Sequence, residues 1–138
     1  MKTFVAFSTL AFVCQLVATA SQKPSKNEVT VAVELANSTE SCSNYKFEFT
    51  NNIFKKVCQV VFQVKVPSGS TLEKYWTMKP INGTSDQFEL PDDVQLLPGQ
   101  TFDKAGITVS RADEEQAPKV TVLKVKSVLS TKACPNEE

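Results

Sequence analysis

The feature that most constrains this chain is a two-residue alternation of apolar and polar side chains that recurs along its length and never gives way to a helical period. Val29, Val31, Val33 and Leu35 alternate with Thr30, Ala32, Glu34 and Ala36. Tyr45, Phe47 and Phe49 alternate with Lys46, Glu48 and Thr50. Cys58, Val60, Phe62, Val64 and Val66 then share one face, opposite Gln59, Gln63 and Lys65. Successive side chains of an extended backbone point to opposite faces, so each run is a strand with one buried side. Leu72 to Met78, Gln87 to Leu90, Thr101 to Val109 and Lys119 to Val128 complete a set of seven. Pro67-Ser68-Gly69-Ser70, Leu97-Pro98-Gly99-Gln100 and the polar run Asn37 to Asn44 supply turns between them, and Gly106 is expected at a bulge. The pattern predicts an all-β fold: a two-sheet antiparallel β-sandwich, immunoglobulin-like in shape. The Cys-Trp-Cys spacing of a true immunoglobulin domain is absent.

Residues 1–20 are expected to be a signal peptide. Lys2 is followed by the mostly apolar stretch Phe4 to Ala18, then by the small residues Ala18-Thr19-Ala20. The apolar core is short for a membrane anchor and is diluted by Ser8, Thr9, Cys14 and Gln15. Residues 21–27 form a polar, flexible lead-in, 28–130 the sandwich and 131–138 a C-terminal tail. The expected setting is extracellular, with no membrane partner. Removing the leader takes Lys2 from the 15 basic side chains and leaves 15 acidic ones, a net charge near −1 with the signs interspersed. A nucleic-acid partner is therefore not expected. The sequons Asn37-Ser38-Thr39 and Asn82-Gly83-Thr84 both fall in expected loops and are candidate N-glycan acceptors.

Cys14 leaves with the leader, so Cys42, Cys58 and Cys134 remain, an odd number in an oxidising compartment. If the second and third strands form a hairpin, Cys42 lies about 23 Å from the position beside Cys58, at roughly 3.3 Å per residue. A disulfide spans an α-carbon separation of only about 7 Å. Counting strands up and down brings the C-terminal end to the pole of Cys42. The expectation is a Cys42–Cys134 bridge with Cys58 a buried thiol; the alternative is a disordered tail with Cys134 unpaired or joined to a second chain.

The sequence contains no histidine, which removes Ser-His and Cys-His nucleophile pairs and the usual general base at neutral pH. No phosphate-binding or dinucleotide motif is present, and the cysteines lack zinc-site spacing. The acidic runs Asp92-Asp93 and Asp113-Glu114-Glu115 are the remaining candidates for glycoside cleavage or for calcium. Both lie in expected loops, where acids are ordinarily just solvated. The expectation is a protein that is not an enzyme and uses no cofactor or metal.

Recognition by surface is what remains. Tyr75 and Trp76 are adjacent in one strand and so point to opposite faces; one is expected in the core and the other exposed. An exposed ring suits stacking on a sugar or packing on a partner. Lys74, Lys79 and Gln87 are the nearby candidates for hydrogen bonds to hydroxyls, and each is equally an ordinary solvated position.

The order of these segments resembles the carbohydrate-binding modules of family 49, small β-sandwiches found on cellulases and in secreted or extracellular-matrix proteins. The resemblance covers roughly Glu28 to Val125. It rests on Val29-Thr30-Val31, on a second strand running into an Asn (Tyr45 to Asn51), on the Tyr/Trp segment Leu72 to Met78, and on Phe88 to Val109 with its Leu97-Pro98-Gly99 turn. It implies that Trp76 occupies the family's fourth-strand tryptophan. Where the family often carries another aromatic, this chain has Asp92-Asp93. A single ring suits a soluble polysaccharide or a glycoprotein glycan better than a flat cellulose surface. The expected function is non-enzymatic carbohydrate binding. The alternative is a secreted protein–protein interaction or structural protein on the same scaffold. A lipid carrier needs an internal cavity of which the sequence gives little sign.

Overall fold

The computed structural model describes residues 28–110 and 116–135. The leader at 1–20, the lead-in at 21–27, the acidic run Asp113-Glu114-Glu115 and the last three residues lie outside the described residues. The described chain is all-β, with no helix. Its strands are β1 (Val29–Ser38), β2 (Cys42–Asn51), β3 (Lys56–Lys65), β4 (Leu72–Trp76), β5 (Lys79–Pro80), β6 (Gln87–Glu89), β7 (Thr101–Ser110) and β8 (Lys119–Val128). They form two antiparallel four-stranded sheets, ordered β1-β2-β7-β4 and β5-β6-β3-β8, and the sheets pack face to face. We refer to them as the first and second sheet.

The alternating residues do what their period requires. Tyr45, Phe47, Phe49, Ile107 and Val109 of the first sheet meet Val60, Phe62, Val64 and Phe88 of the second, all buried. Phe62 is the centre: its ring lies 4.8 Å from that of Phe49, 6.1 Å from Phe88 and 6.4 Å from Phe47. Contacts at these distances add edge and offset-stacking energy to the burial of large apolar area.

Asn51 closes the pole where β2 passes into β3. It is fully buried, and its Nδ2 donates to the carbonyls of Lys55 and Leu96, both at 2.8 Å. Its Oδ1 accepts from the Ile53 amide at 2.9 Å. Its backbone bonds Gly99 and Gln100 in the turn before β7. One amide thus ties the crossover to the turn, and its buried polar atoms are paired.

Several sequence expectations are corrected. β2 and β3 are not a hairpin within one sheet; the chain crosses between sheets over residues 52–55, so the premise behind the Cys42–Cys134 bridge fails. The disulfide joins Cys58 to Cys134, with α-carbons 5.7 Å apart, and Cys42 is the free thiol among the described residues. Cys58 escapes the alternation because it is the extra residue where the β3–β8 register shifts between Val57 and Gln59. Val57 is consequently buried, while Cys58 is only half-buried and reaches the returning C-terminal segment.

The fourth strand ends at Trp76 and not at Met78. Thr77 takes a left-handed φ of 57°, and the chain moves there from the first sheet to the second, where Lys79–Pro80 makes an eighth strand. Met78 is therefore core while Trp76 is not. The bulge expected at Gly106 lies instead at Asp103 and Lys104, which together oppose the single residue Glu48. Finally, Asn37 belongs to a strand and not to a loop: β1 and β2 run on to Ser38 and from Cys42, leaving a tight connection across residues 39–41. Asn82 does sit in an exposed turn, with Gly83 at φ 85° and the Thr84 amide bonded to the Ile81 carbonyl.

Candidate functional site

The outward face of the first sheet is set by its buried one. Ser43, Tyr45, Phe47 and Phe49 point inward, so Asn44, Lys46 and Glu48 point out; Ile107 and Val109 point inward, so Gly106 and Thr108 point out. The cross-strand register then builds two rows over all four strands. One is Glu34, Lys46, Gly106 and Trp76; the next is Asn37, Asn44, Thr108 and Lys74.

In the first row the indole of Trp76 covers Gly106, where a side chain would collide with it. Trp76 remains 38% exposed. Lys46 lies 3.8 Å from Glu34 and 3.7 Å from Glu48. In the second row Asn44 donates to Oδ1 of Asn37, and the Thr108 hydroxyl donates to Oδ1 of Asn44. Lys74 closes that row two residues from Trp76 on the same strand. The result is one aromatic ring beside a row of amides, a hydroxyl and an ammonium. Chemically it offers an apolar surface with donors and acceptors at its border.

The five candidate recognition residues are not brought together. Trp76 and Lys74 share this face. Tyr75 points the other way, to the rim between the sheets, with its ring 5.2 Å from Phe88 and 45% of its surface exposed. Neither ring of the pair is core, in contrast to the expectation that one would be. Lys79 and Gln87 belong to the second sheet. Gln87 stands opposite Gln63. Lys79 places Nζ 2.9 Å from both carboxylate oxygens of Asp92 and 4.0 Å from Glu89. The hydrogen bond to Asp92, opposed by desolvation and aided by the charges of Asp92 and Glu89, raises the Lys79 ammonium above its ordinary value. Asp92, at the position where the family resemblance leads one to expect an aromatic, is thus the partner of a lysine.

The members that sequence reasoning missed are Lys46, Asn44 and Thr108. Each is an ordinary polar alternation position, and only strand order and register place them beside Trp76. Phe54 was also missed; it stands 94% exposed in the crossover between β2 and β3, and its carbonyl accepts a hydrogen bond from Ser130. A separate depression of about 590 Å³ lies beside the disulfide, lined in part by Cys58, Gln59, Leu90, Asp92 and Cys134. There Gln59 donates to Glu89.

Among the described residues no three His, Cys, Asp or Glu side chains are grouped to hold a metal ion, and no helix is long and apolar enough to cross a membrane. No protein-family model matches the chain, and no curated protein matches it.

Proposed function

We infer that this chain is a secreted, non-enzymatic carbohydrate-binding protein in which a sugar ring stacks on Trp76. The observation that carries the reading is the indole over Gly106, partly open to solvent and bordered by Lys74, Thr108 and Asn44. Sugar recognition asks for an apolar surface against the C–H face of the ring and polar groups for its hydroxyls. The leader-like N-terminus and a disulfide, which persists in oxidising compartments, support secretion. Asn37 and Asn82, both exposed, are the candidate glycan acceptors of the protein itself.

A glycan array or polysaccharide pull-down tests the reading. Trp76→Ala should abolish binding while the circular dichroism spectrum is retained, and Tyr75→Ala, on the other face, should leave binding largely intact. Failure to bind any glycan sinks it.

A second reading is favoured by one specific observation. Phe54, with the exposed Leu129 near it through the Ser130 hydrogen bond, presents apolar surface at one pole away from Trp76. On that reading the chain is a secreted protein-interaction module, and Phe54→Ser, not Trp76→Ala, removes binding to the partner.

A further inference from the structure

The two sheets end differently on their two sides. On one side the edges are short: β4 has five residues and β5 has two. On the other, β1 and β8 are ten-residue strands, each hydrogen-bonded, among the described residues, to a neighbour on one side only. Between these long edges runs a groove of about 660 Å³, lined in part by Val29, Val31, Val122 and Val125 and also by Glu28 and Lys124. Long unpaired edges are templates for pairing with another strand unless charge or shape forbids it.

The charges on these edges are sorted. β1 and the residue before it carry Glu28 and Glu34 and no basic residue; β8 carries Lys119, Lys124 and Lys126 and no acidic one. Their heights can be matched through the sandwich. Val31 pairs with Phe49, the Phe49 ring packs on Phe62, and Phe62 pairs with Val122, so Val31 stands level with Val122. β1 and β8 run in opposite directions. Counting from Val31 and Val122, and allowing for the extra residue Leu123 where the β3–β8 register shifts, Glu34 falls level with Lys119 and Glu28 with Lys126. The glutamates and the lysines all lie on outward faces, opposite the inward-facing valines.

We propose that the β1 and β8 edges are the interface of a two-fold dimer, with β1 of each copy pairing antiparallel to β8 of the other. A two-fold axis parallel to the strands keeps every residue at its height. It therefore sets Glu34 against Lys119 of the second copy and Glu28 against Lys126, with Lys124 diagonal to it. The first sheet of one copy continues into the second sheet of the other, so the charged faces coincide and the two grooves close on each other. The alternatives are disfavoured by the same charges. β1 against β1 brings glutamates together, and β8 against β8 brings lysines together, which is destabilising for directly opposed pairs. Glu34 shares its present neighbour Lys46 only at 3.8 Å and across an exposed surface, so it can engage a second cation.

Sedimentation velocity on the purified full chain carrying Cys42→Ser tests this, since that change removes any dimer linked by the free thiol. A concentration-dependent dimer that weakens with added salt is expected. Glu28→Lys with Glu34→Lys should raise the dimer Kd by about a hundredfold, as should Lys119→Glu with Lys126→Glu. Mixing the two variants should restore association as a heterodimer, because each acidic edge then meets a basic one. That rescue also shows that both variants are folded. A monomer at every concentration overturns the proposal. So does a dimer indifferent to both charge reversals, or a pair of reversed variants that fail to associate on mixing.

Discussion

The indole of Trp76 fills the space that a side chain at residue 106 would need. A Cβ built on Gly106 collides with Cζ2 of the ring, and falls 2.7 Å from Cε2 and 2.6 Å from the Tyr45 carbonyl oxygen. Glycine is thus required at 106 by close approach and not by a left-handed backbone. The same contact holds the ring on the outward face of the first sheet, two strands from Lys46.

Gly106→Ala should lower stability by about 1–3 kcal/mol, the usual range for overpacking a filled site. Trp76 is the only tryptophan, so its emission maximum reports directly on displacement of the ring and should shift. In a double-mutant cycle by urea denaturation, Trp76→Ala should recover part of the loss but not all. The Tyr45 carbonyl still meets the new methyl group.

Asn51→Ala should cost about 3 kcal/mol or more. It strips hydrogen bonds from the Lys55 and Leu96 carbonyls and from the Ile53 amide; the Leu96 carbonyl keeps the Val57 amide, and a group left unpaired costs about 1–3 kcal/mol. Asn51→Asp should fare no better at neutral pH, because it turns a carboxylate toward two carbonyl oxygens. Equilibrium denaturation of both variants is the check.

Peptide mapping without reduction should recover Cys58 linked to Cys134, with Cys42 alkylated. Cys134→Ser should lower stability by about 2–4 kcal/mol, the typical effect of a bridge that constrains the unfolded chain; here the bridge spans 76 residues. Hydrogen exchange in that variant should rise first over residues 129–135, the segment it holds to β3.

Lys79 paired with Asp92 gives a small contribution with a definite sign. Its ammonium is raised in the folded state, so the stabilisation is complete below the ordinary lysine value of 10.5 and fades as pH climbs through the higher folded value. The pair is exposed and salt-screened. The difference in urea midpoint between the native chain and Lys79→Met should therefore be slight at neutral pH, shrink with salt, and vanish at strongly alkaline pH. A gap that widens with alkalinity would contradict the assignment.

The sandwich was legible in the residues because alternation is local: Phe47, Phe49, Phe62 and Ile107 sit in the core as their two-residue period demands. The polar border of Trp76 was not, since Lys46, Asn44 and Thr108 reach it only through the order β2-β7-β4 and its register. By itself, then, the sequence determined which segments extend and which of their sides turn inward. Tertiary structure alone decided what stands beside what: that β2 and β3 face each other from different sheets, that Cys58 and not Cys42 meets Cys134, and that Trp76 lies outside while Met78 lies within. The physical reason is that a period of two carries no partner. One extra residue, as at Cys58, or one left-handed residue, as at Thr77, changes the face or the sheet taken by the next residues of the chain.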